Sequence, residues 1–306
     1  MPDPQKKIEA LIASLEELRL HVGKKDLSVG SRNINSQLFF SLANACLRNR
    51  AVLLYGGMGA NKTTLINLLG TSFLSLGLGD VENLMVTGHP EQTEEKMVGF
   101  LDPRQWTRPG STAVEVLWTL WARSRWKLIN EINRFPSGKQ NLFLEILQKR
   151  KISYAGQVLE PGDTCYFATM NPEFSATYPL DEGLSDRVRQ DLRDFCRAMA
   201  FLLHQDGNLE VLKAVAPYVI WHRVTPIRSA LDSPPYYGAR KLAFVSGLVE
   251  RSINRTLNER AEMNLVFSRA VDGEMALDLA LRELSAYDDP IARLDFIPSL
   301  EQMLCR

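Results

Sequence analysis

The chain has 306 residues, 45% apolar and 24% charged, which excludes a disordered, collagen-like or fibrous protein and allows one large core or two domains of unequal size. Lys and Arg number 36 and Asp and Glu 36, a formal charge of zero, so no overall basic field draws nucleic acid or anionic lipid from a distance. Cys46, Cys165, Cys196 and Cys305 lie far apart with no CxxC or Cys/His pair, which argues against a zinc site or disulfide framework and for buried free thiols in a reducing compartment.

The opening MPDPQKK leads into a charged amphipathic stretch, with Ile8, Leu11, Ile12, Leu15 and Leu18 at helical spacing, where a signal peptide would carry an apolar core. No apolar run reaches the roughly 18 residues of a membrane span, so the expectation is a cytoplasmic protein without a membrane partner. A second helix is predicted over residues 37–49. Ala51-Val-Leu-Leu-Tyr55 is short, apolar and stopped by Gly56-Gly57, as a buried parallel strand would be. Helical spacing returns over 64–76. Strands are then expected at 83–87, 126–129 and 164–169, with helices at 114–123 and 140–149 between them. That alternation predicts a parallel sheet covered by helices. Residues 151–161 alternate polar and apolar around Ala155-Gly156, which predicts a hairpin. From about Asp191 onward the pattern is mostly helical. The expected organisation is an N-terminal helix over 1–27, a nucleotide-binding domain over 28–191 and a helical domain over 192–306.

Gly56-Gly-Met-Gly-Ala-Asn-Lys-Thr63 matches the phosphate-loop pattern GxxxxGK[ST] except at Asn61, which stands where the last glycine should be. In such a loop the backbone N–H groups of Gly57, Met58, Gly59, Ala60, Asn61, Lys62, Thr63 and Thr64 converge on phosphate, and the following helix adds its positive end. Lys62 would reach the β- and γ-phosphates, and the Thr63 hydroxyl would bind Mg²⁺. If position 61 needs positive φ, Asn is among the least costly non-glycine residues there. A second strand should end in acidic residues that handle metal and attacking water; Asn130-Glu131 sits where it is expected. Glu131 takes the water-activating position. Asn130 replaces the usual aspartate as a metal-site residue and brings no charge, so metal affinity should fall.

Asn130-Glu-Ile-Asn-Arg-Phe-Pro136, Gln140-Asn-Leu-Phe-Leu-Glu145 and Ala168-Thr-Met-Asn-Pro172 resemble the DEINR, QNxLLE and ATxNP blocks of the MoxR family of AAA+ ATPases, in the same order and spacing. Gly88-His-Pro-Glu-Gln-Thr-Glu-Glu-Lys96 looks like the segment leading into that family's helix-2 insert, with wording most like archaeal members. Tyr178 to Arg187 resembles its TYPLxEAxLDRF block. The resemblance implies an α/β P-loop NTPase of AAA+ type, an αβα parallel sheet with a smaller all-helical lid. By the same resemblance Asn171 is the sensor-1 asparagine, and Arg187, with Arg189 as substitute, reaches a neighbour's nucleotide. Arg240, in Gly238-Ala-Arg-Lys-Leu, resembles the sensor-2 arginine that would bind nucleotide from the lid, and Val29-Gly30 resembles the Val-Gly pair that lies beside the adenine.

The implied cofactors are ATP and Mg²⁺, and the implied assembly is a homohexamer acting on a client protein with a partner carrying a von Willebrand factor A domain. Two alternatives stand beside that remodelling ATPase. One is an ATP-binding switch with weakened hydrolysis, motivated by Asn61 and Asn130. The other is a DNA-translocating ring, which the neutral charge disfavours. Trp106, Trp118, Trp121 and Trp126 could stack bases, although such residues are more often core. His89 is expected to be a loop residue.

Overall fold

The computed structural model describes residues 6, 9–13, 26–29, 32–57, 59–104, 115–171, 188–203, 208–220 and 237–304. They fall into two compact units, Met1–Ala243 and Phe244–Arg306.

In the first unit a short antiparallel ribbon, β1 (Leu27–Val29) and β2 (Arg32–Ile34), leads into α1 (Ser36–Leu47). Asn35 caps this helix, its side chain accepting from Leu38 N–H at 2.9 Å. Then come β3 (Ala51–Tyr55), α2 (Lys62–Leu74), α3 (Leu78–Glu82), β4 (Met85–Thr87), α4 (Glu94–Met97), β5 (Gly99–Leu101), β6 (Val116–Trp118), α5 (Leu120–Arg123) and β7 (Trp126–Asn130). A 3-10 turn, Ile132–Arg134, precedes α6 (Ser137–Lys149). The hairpin β8 (Ile152–Tyr154) and β9 (Gln157–Leu159) follows, then β10 (Cys165–Met170), α7 (Val188–Leu203) and α8 (Leu209–Ile220).

The central sheet has the order β3-β10-β7-β4, every pair parallel. Parallel strands bury both faces. Trp126, Leu128, Cys165 and Phe167 point into a core shared with Leu38, Phe39, Leu42, Leu65, Ile66 and Leu69 of α1 and α2. Ile129 and Tyr166, on the alternate positions, face a second core with Phe135, Phe143, Ile146 and Trp121. The expected α/β sheet between helical layers is therefore present, and so is a strand, glycine-rich loop and helix at residues 51–74. Trp121 and Trp126 are only 2% exposed, which makes them core residues and removes them from any base-stacking surface. Trp106 lies outside the described residues.

One expected helix is different. Residues 116–123 form strand β6 and the short α5, because Thr119 starts a new helix: its hydroxyl accepts from Ala122 N–H and donates to the Met97 carbonyl. β6 pairs antiparallel with β5, Gly99 opposite Trp118. At the hairpin tip both Ala155 and Gly156 have positive φ, 48° and 77°, as a two-residue turn between right-twisted strands requires. Cys165 is buried, but Cys46 is exposed, which corrects the expectation of buried thiols throughout.

The second unit is helical. From Phe244 onward α9 (Tyr237–Val271) belongs to it and supplies Met263 and Ala270, α10 (Leu277–Ser285) supplies Ala280 and Leu284, and α11 (Ile297–Leu304) supplies Leu300 to one small core. Phe267 and Phe296 stack at 4.5 Å. Among the described residues no helix is long and apolar enough to cross a membrane.

Candidate nucleotide site

In a parallel sheet the carboxyl ends of the strands collect on one edge, where α/β proteins bind ligands. Here that edge gathers the loop after β3, Asn130 and Glu131 after β7, Asn171 after β10, and Gly88 after β4. Lys62, Thr63, Asn130, Glu131 and Asn171 are thus brought to one end of the sheet by topology.

Asn61 adopts φ 51°, ψ 22°, the left-handed conformation, and Gly59 also has positive φ at 74°. The loop keeps its curvature because asparagine tolerates this region. The Lys62 ammonium donates to the Gly56 and Gly57 carbonyls at 2.8 and 2.7 Å, so the cation lies across its own loop. Gln37 of α1 steadies the far side through the Ala60 carbonyl. Thr64 is exposed on the first turn of α2, and Val29 is buried in the core beside α1.

A hydroxyl network joins the start of α2 to the ends of β7 and β10. Thr63 Oγ1 donates to Asn130 Oδ1 at 2.9 Å, and Thr169 Oγ1 donates to the same atom at 2.7 Å. Thr169 Oγ1 in turn accepts the Glu131 N–H at 2.9 Å. Glu131 sits at φ 54°, ψ 54°, an uncommon conformation for a residue without a glycine's freedom. Its peptide is pinned from the other side: a Cβ on Gly88 would lie 2.1 Å from the Glu131 carbonyl oxygen, so only glycine allows this approach. The Glu131 carboxylate accepts from Arg134 Nη1 at 2.8 Å. Asn133, fully buried, donates to the Asn171 carbonyl at 2.9 Å and so ties the end of β10 to the turn after β7.

Sequence reasoning did not assign Thr169, Arg134, Asn133 or Gly88 a role. Each stood inside a quoted block, and the signal that could have found Thr169 was its place two residues before Asn171 on the strand adjoining Asn130. His89 takes the predicted loop role, its Nδ1 accepting the Glu91 N–H. Lys139 anchors the same loop through the Pro90 and Gln92 carbonyls. Gly30, Met58 and Arg187 lie outside the described residues. Arg189 and Arg240 fall within α7 and α9, and their side chains are likewise outside the described set.

The donor set facing the loop consists of oxygens, the Thr63 hydroxyl and the Asn130 carbonyl. A hard divalent cation such as Mg²⁺ takes such ligands and keeps several waters when it shares a phosphate. The residues present fit that ion, although without a carboxylate at position 130. Among the described residues no group of three His, Cys, Asp or Glu could hold a metal by itself.

No family model matches the chain. A 62-residue segment is 40% identical to Chaperone MoxR1 of Mycobacterium tuberculosis (strain ATCC 25618 / H37Rv), covering 20% of this chain and 16% of that protein. The chain thus aligns with about a sixth of the curated relative it matches. A solved structure assigned as an ATPase from Cytophaga hutchinsonii is 17% identical, with a TM-score of 0.40 over 71% of this chain and 63% of that one. NtrX from Brucella abortus is 12% identical, with a TM-score of 0.32 over 96% of this chain and 72% of the other. Neither likeness carries the fold assignment, which rests on the parallel strand order and the loop between β3 and α2. That strand order, with the glycine-rich loop between β3 and α2, is an α/β fold of P-loop type.

Proposed function

We propose that this chain is a MoxR-type AAA+ ATPase that binds ATP with Mg²⁺ at the carboxyl edge of its sheet and hydrolyses it in a ring to remodel or assemble a client protein. The observation that carries the reading is the contact of the phosphate loop with the end of β7, Thr63 to Asn130 at 2.9 Å, with Glu131 and Asn171 at the same end of the sheet. Bound Mg²⁺ would supply charge neutralisation for the β- and γ-phosphates. The chain's own residues do the rest. Backbone N–H groups of residues 57–63 and the start of α2 hold the phosphates, and Lys62 leaves its two carbonyls for the γ-phosphate. Glu131 accepts a proton from the attacking water, and Asn171 orients that water. Arg187 from a neighbouring copy would neutralise charge spread over the transferring phosphoryl oxygens, so a lone subunit would hydrolyse slowly. On the same reading Arg240 couples a lid to the nucleotide, and a partner with a von Willebrand factor A domain engages the ring.

Steady-state phosphate release by the purified chain tests this. Wild type should turn over slowly and require Mg²⁺; Lys62→Ala should lose nucleotide binding, and Glu131→Gln should retain binding and lose turnover. A wild-type rate no higher than that of Lys62→Ala would leave the second reading, an ATP-dependent switch. That reading is favoured by the uncharged Asn130, which brings no carboxylate to the metal side of the loop. Light scattering that shows a monomer at saturating ATP would remove the role given to Arg187.

A further inference from the structure

Asparagine differs from aspartate in having two unlike ends, so at position 130 something must decide which end faces the phosphate loop. The Asn130 carbonyl oxygen receives two hydroxyl protons, from Thr63 at 2.9 Å and from Thr169 at 2.7 Å. Thr169 is 1% exposed and lies on β10, between the strand that leads into the phosphate loop and the strand that ends in Asn130. Its oxygen already accepts the Glu131 peptide N–H. A buried hydroxyl that has accepted one proton gains most by placing its own proton on an acceptor, and Asn130 Oδ1 is that acceptor. The reversed amide would turn two N–H groups toward Thr63 and direct its positive end at the phosphate loop.

We propose that Thr169 is a positioning residue that fixes the Asn130 amide with its carbonyl toward the phosphate loop, where it takes the Thr63 hydroxyl proton and leaves the Thr63 oxygen lone pairs for a divalent cation. The proposal rests on reading that loop as an ATP–Mg²⁺ site. It goes beyond that reading because an aspartate at 130, with two equivalent oxygens, would need no such orientation. Thr169 compensates for the missing charge by setting a dipole.

The test is a double-mutant cycle on the full chain, read by calorimetry of a non-hydrolysable ATP analogue titrated at several Mg²⁺ concentrations, with turnover measured in parallel. Thr169→Val should raise the Mg²⁺ concentration needed for half-maximal tightening about fivefold, the worth of one hydrogen bond. Binding of the analogue in EDTA should stay the same. In turnover kcat should fall while KM changes less than about twofold, and Thr169→Ser should restore the Mg²⁺ midpoint, because it returns the hydroxyl. In the Asn130→Asp background the valine substitution should shift the Mg²⁺ midpoint by less than about twofold. An equal shift in both backgrounds, or none in either, overturns the proposal while leaving nucleotide binding intact. Failure of wild type to bind the analogue overturns the site reading and the proposal together. Thr169→Ala takes the place of the valine variant if the latter does not fold.

Discussion

Lys127 gives the sharpest physical test of the structure, because it is a cation fully buried in the middle of the central sheet. It lies on β7, three residues before Asn130, with its ammonium over the Trp121 ring at 4.8 Å. It donates to the Trp121 and Ala122 carbonyls at 2.5 and 2.7 Å, the last turn of α5. The geometry gives it partial compensation, through helix-end carbonyls and an aromatic face. Burial nevertheless pushes its pKa down from the ordinary 10.5 to about 7.

The sign follows from proton counting. Between pH 7 and 10.5 the unfolded chain holds a proton on this residue that the folded chain has released, so stability rises with pH across that window. The cost of burying the charge is fully felt below about pH 7 and absent above about 10.5, and one pH unit within the window is worth about 1.4 kcal/mol. The whole shift corresponds to something on the order of 5 kcal/mol, and the part between pH 7 and 9 to roughly 2–3 kcal/mol. Lys127→Met keeps the length and removes the charge, but it strands two carbonyls at a cost of about 1–3 kcal/mol each, independent of pH. Urea denaturation of both proteins from pH 6 to 9 at fixed ionic strength should show the variant comparable or more stable at pH 6, with wild type gaining on it by roughly 2–3 kcal/mol by pH 9. A stability difference that stays flat over this range would refute the reasoning, since it would place the Lys127 ammonium in contact with water.

Other perturbations test the site directly. Gly88→Ala would drive a methyl group to within 2.1 Å of the Glu131 carbonyl; ATP binding should survive in calorimetry while turnover falls on the order of 100-fold, the usual cost of moving a reacting group by an ångström. Asn61→Gly should leave stability within about 1 kcal/mol, as relieved left-handed strain offsets added chain entropy. The same variant should bind ATP several-fold more tightly because no side chain crowds the phosphates; unchanged affinity would show that Asn61 points clear of them. Asn130→Asp should raise Mg²⁺-dependent turnover about tenfold, since a charge-assisted contact is roughly twice as strong as a neutral one. Gly70→Ala, whose added Cβ would meet Val81 at 2.6 Å and the Trp126 indole at 3.1 Å, should cost about 1–3 kcal/mol in denaturant melts.

The sheet was legible because its strands are apolar runs bounded by glycine or polar residues, and the phosphate loop because glycine and lysine spacing is dictated by phosphate geometry. The failures have physical causes. Residues 116–123 lie within the helix expected over 114–123, but the Thr119 cap and the pairing of Gly99 with Trp118 are tertiary facts that no local period contains. Lys127 would ordinarily be placed on a surface, and only its reach to the end of α5 explains its burial. At the site, sequence spacing named Lys62, Thr63, Asn130, Glu131 and Asn171 and missed the residues that hold them in place. Thr169 and Gly88 act on Glu131 from different strands, and a contact between strands 38 or more residues apart leaves no mark on either stretch alone.

The two asparagines bear differently on whether the chain works as a motor or as a switch. Asn61 bears on the shape of the loop, which it preserves by adopting the left-handed conformation at small cost. Asn130 alters charge. A unit charge about 5 Å from a partner at an effective dielectric near 20 is worth on the order of 3 kcal/mol, so replacing aspartate by asparagine removes an attraction for a divalent cation and, to a similar degree, a repulsion toward the phosphates. Nucleotide affinity and metal dependence should therefore move in opposite directions, leaving a site that holds ATP well and hydrolyses it slowly. The Arg134 guanidinium on Glu131 works in the same sense, because it occupies one carboxylate oxygen of the intended base. A remodelling motor needs that brake to be released once per cycle, whereas a switch needs it to hold. Because Arg134 and Glu131 are three residues apart, part-exposed and hence weakly paired, releasing the base costs little energy, so the pair slows a motor more readily than it holds a switch.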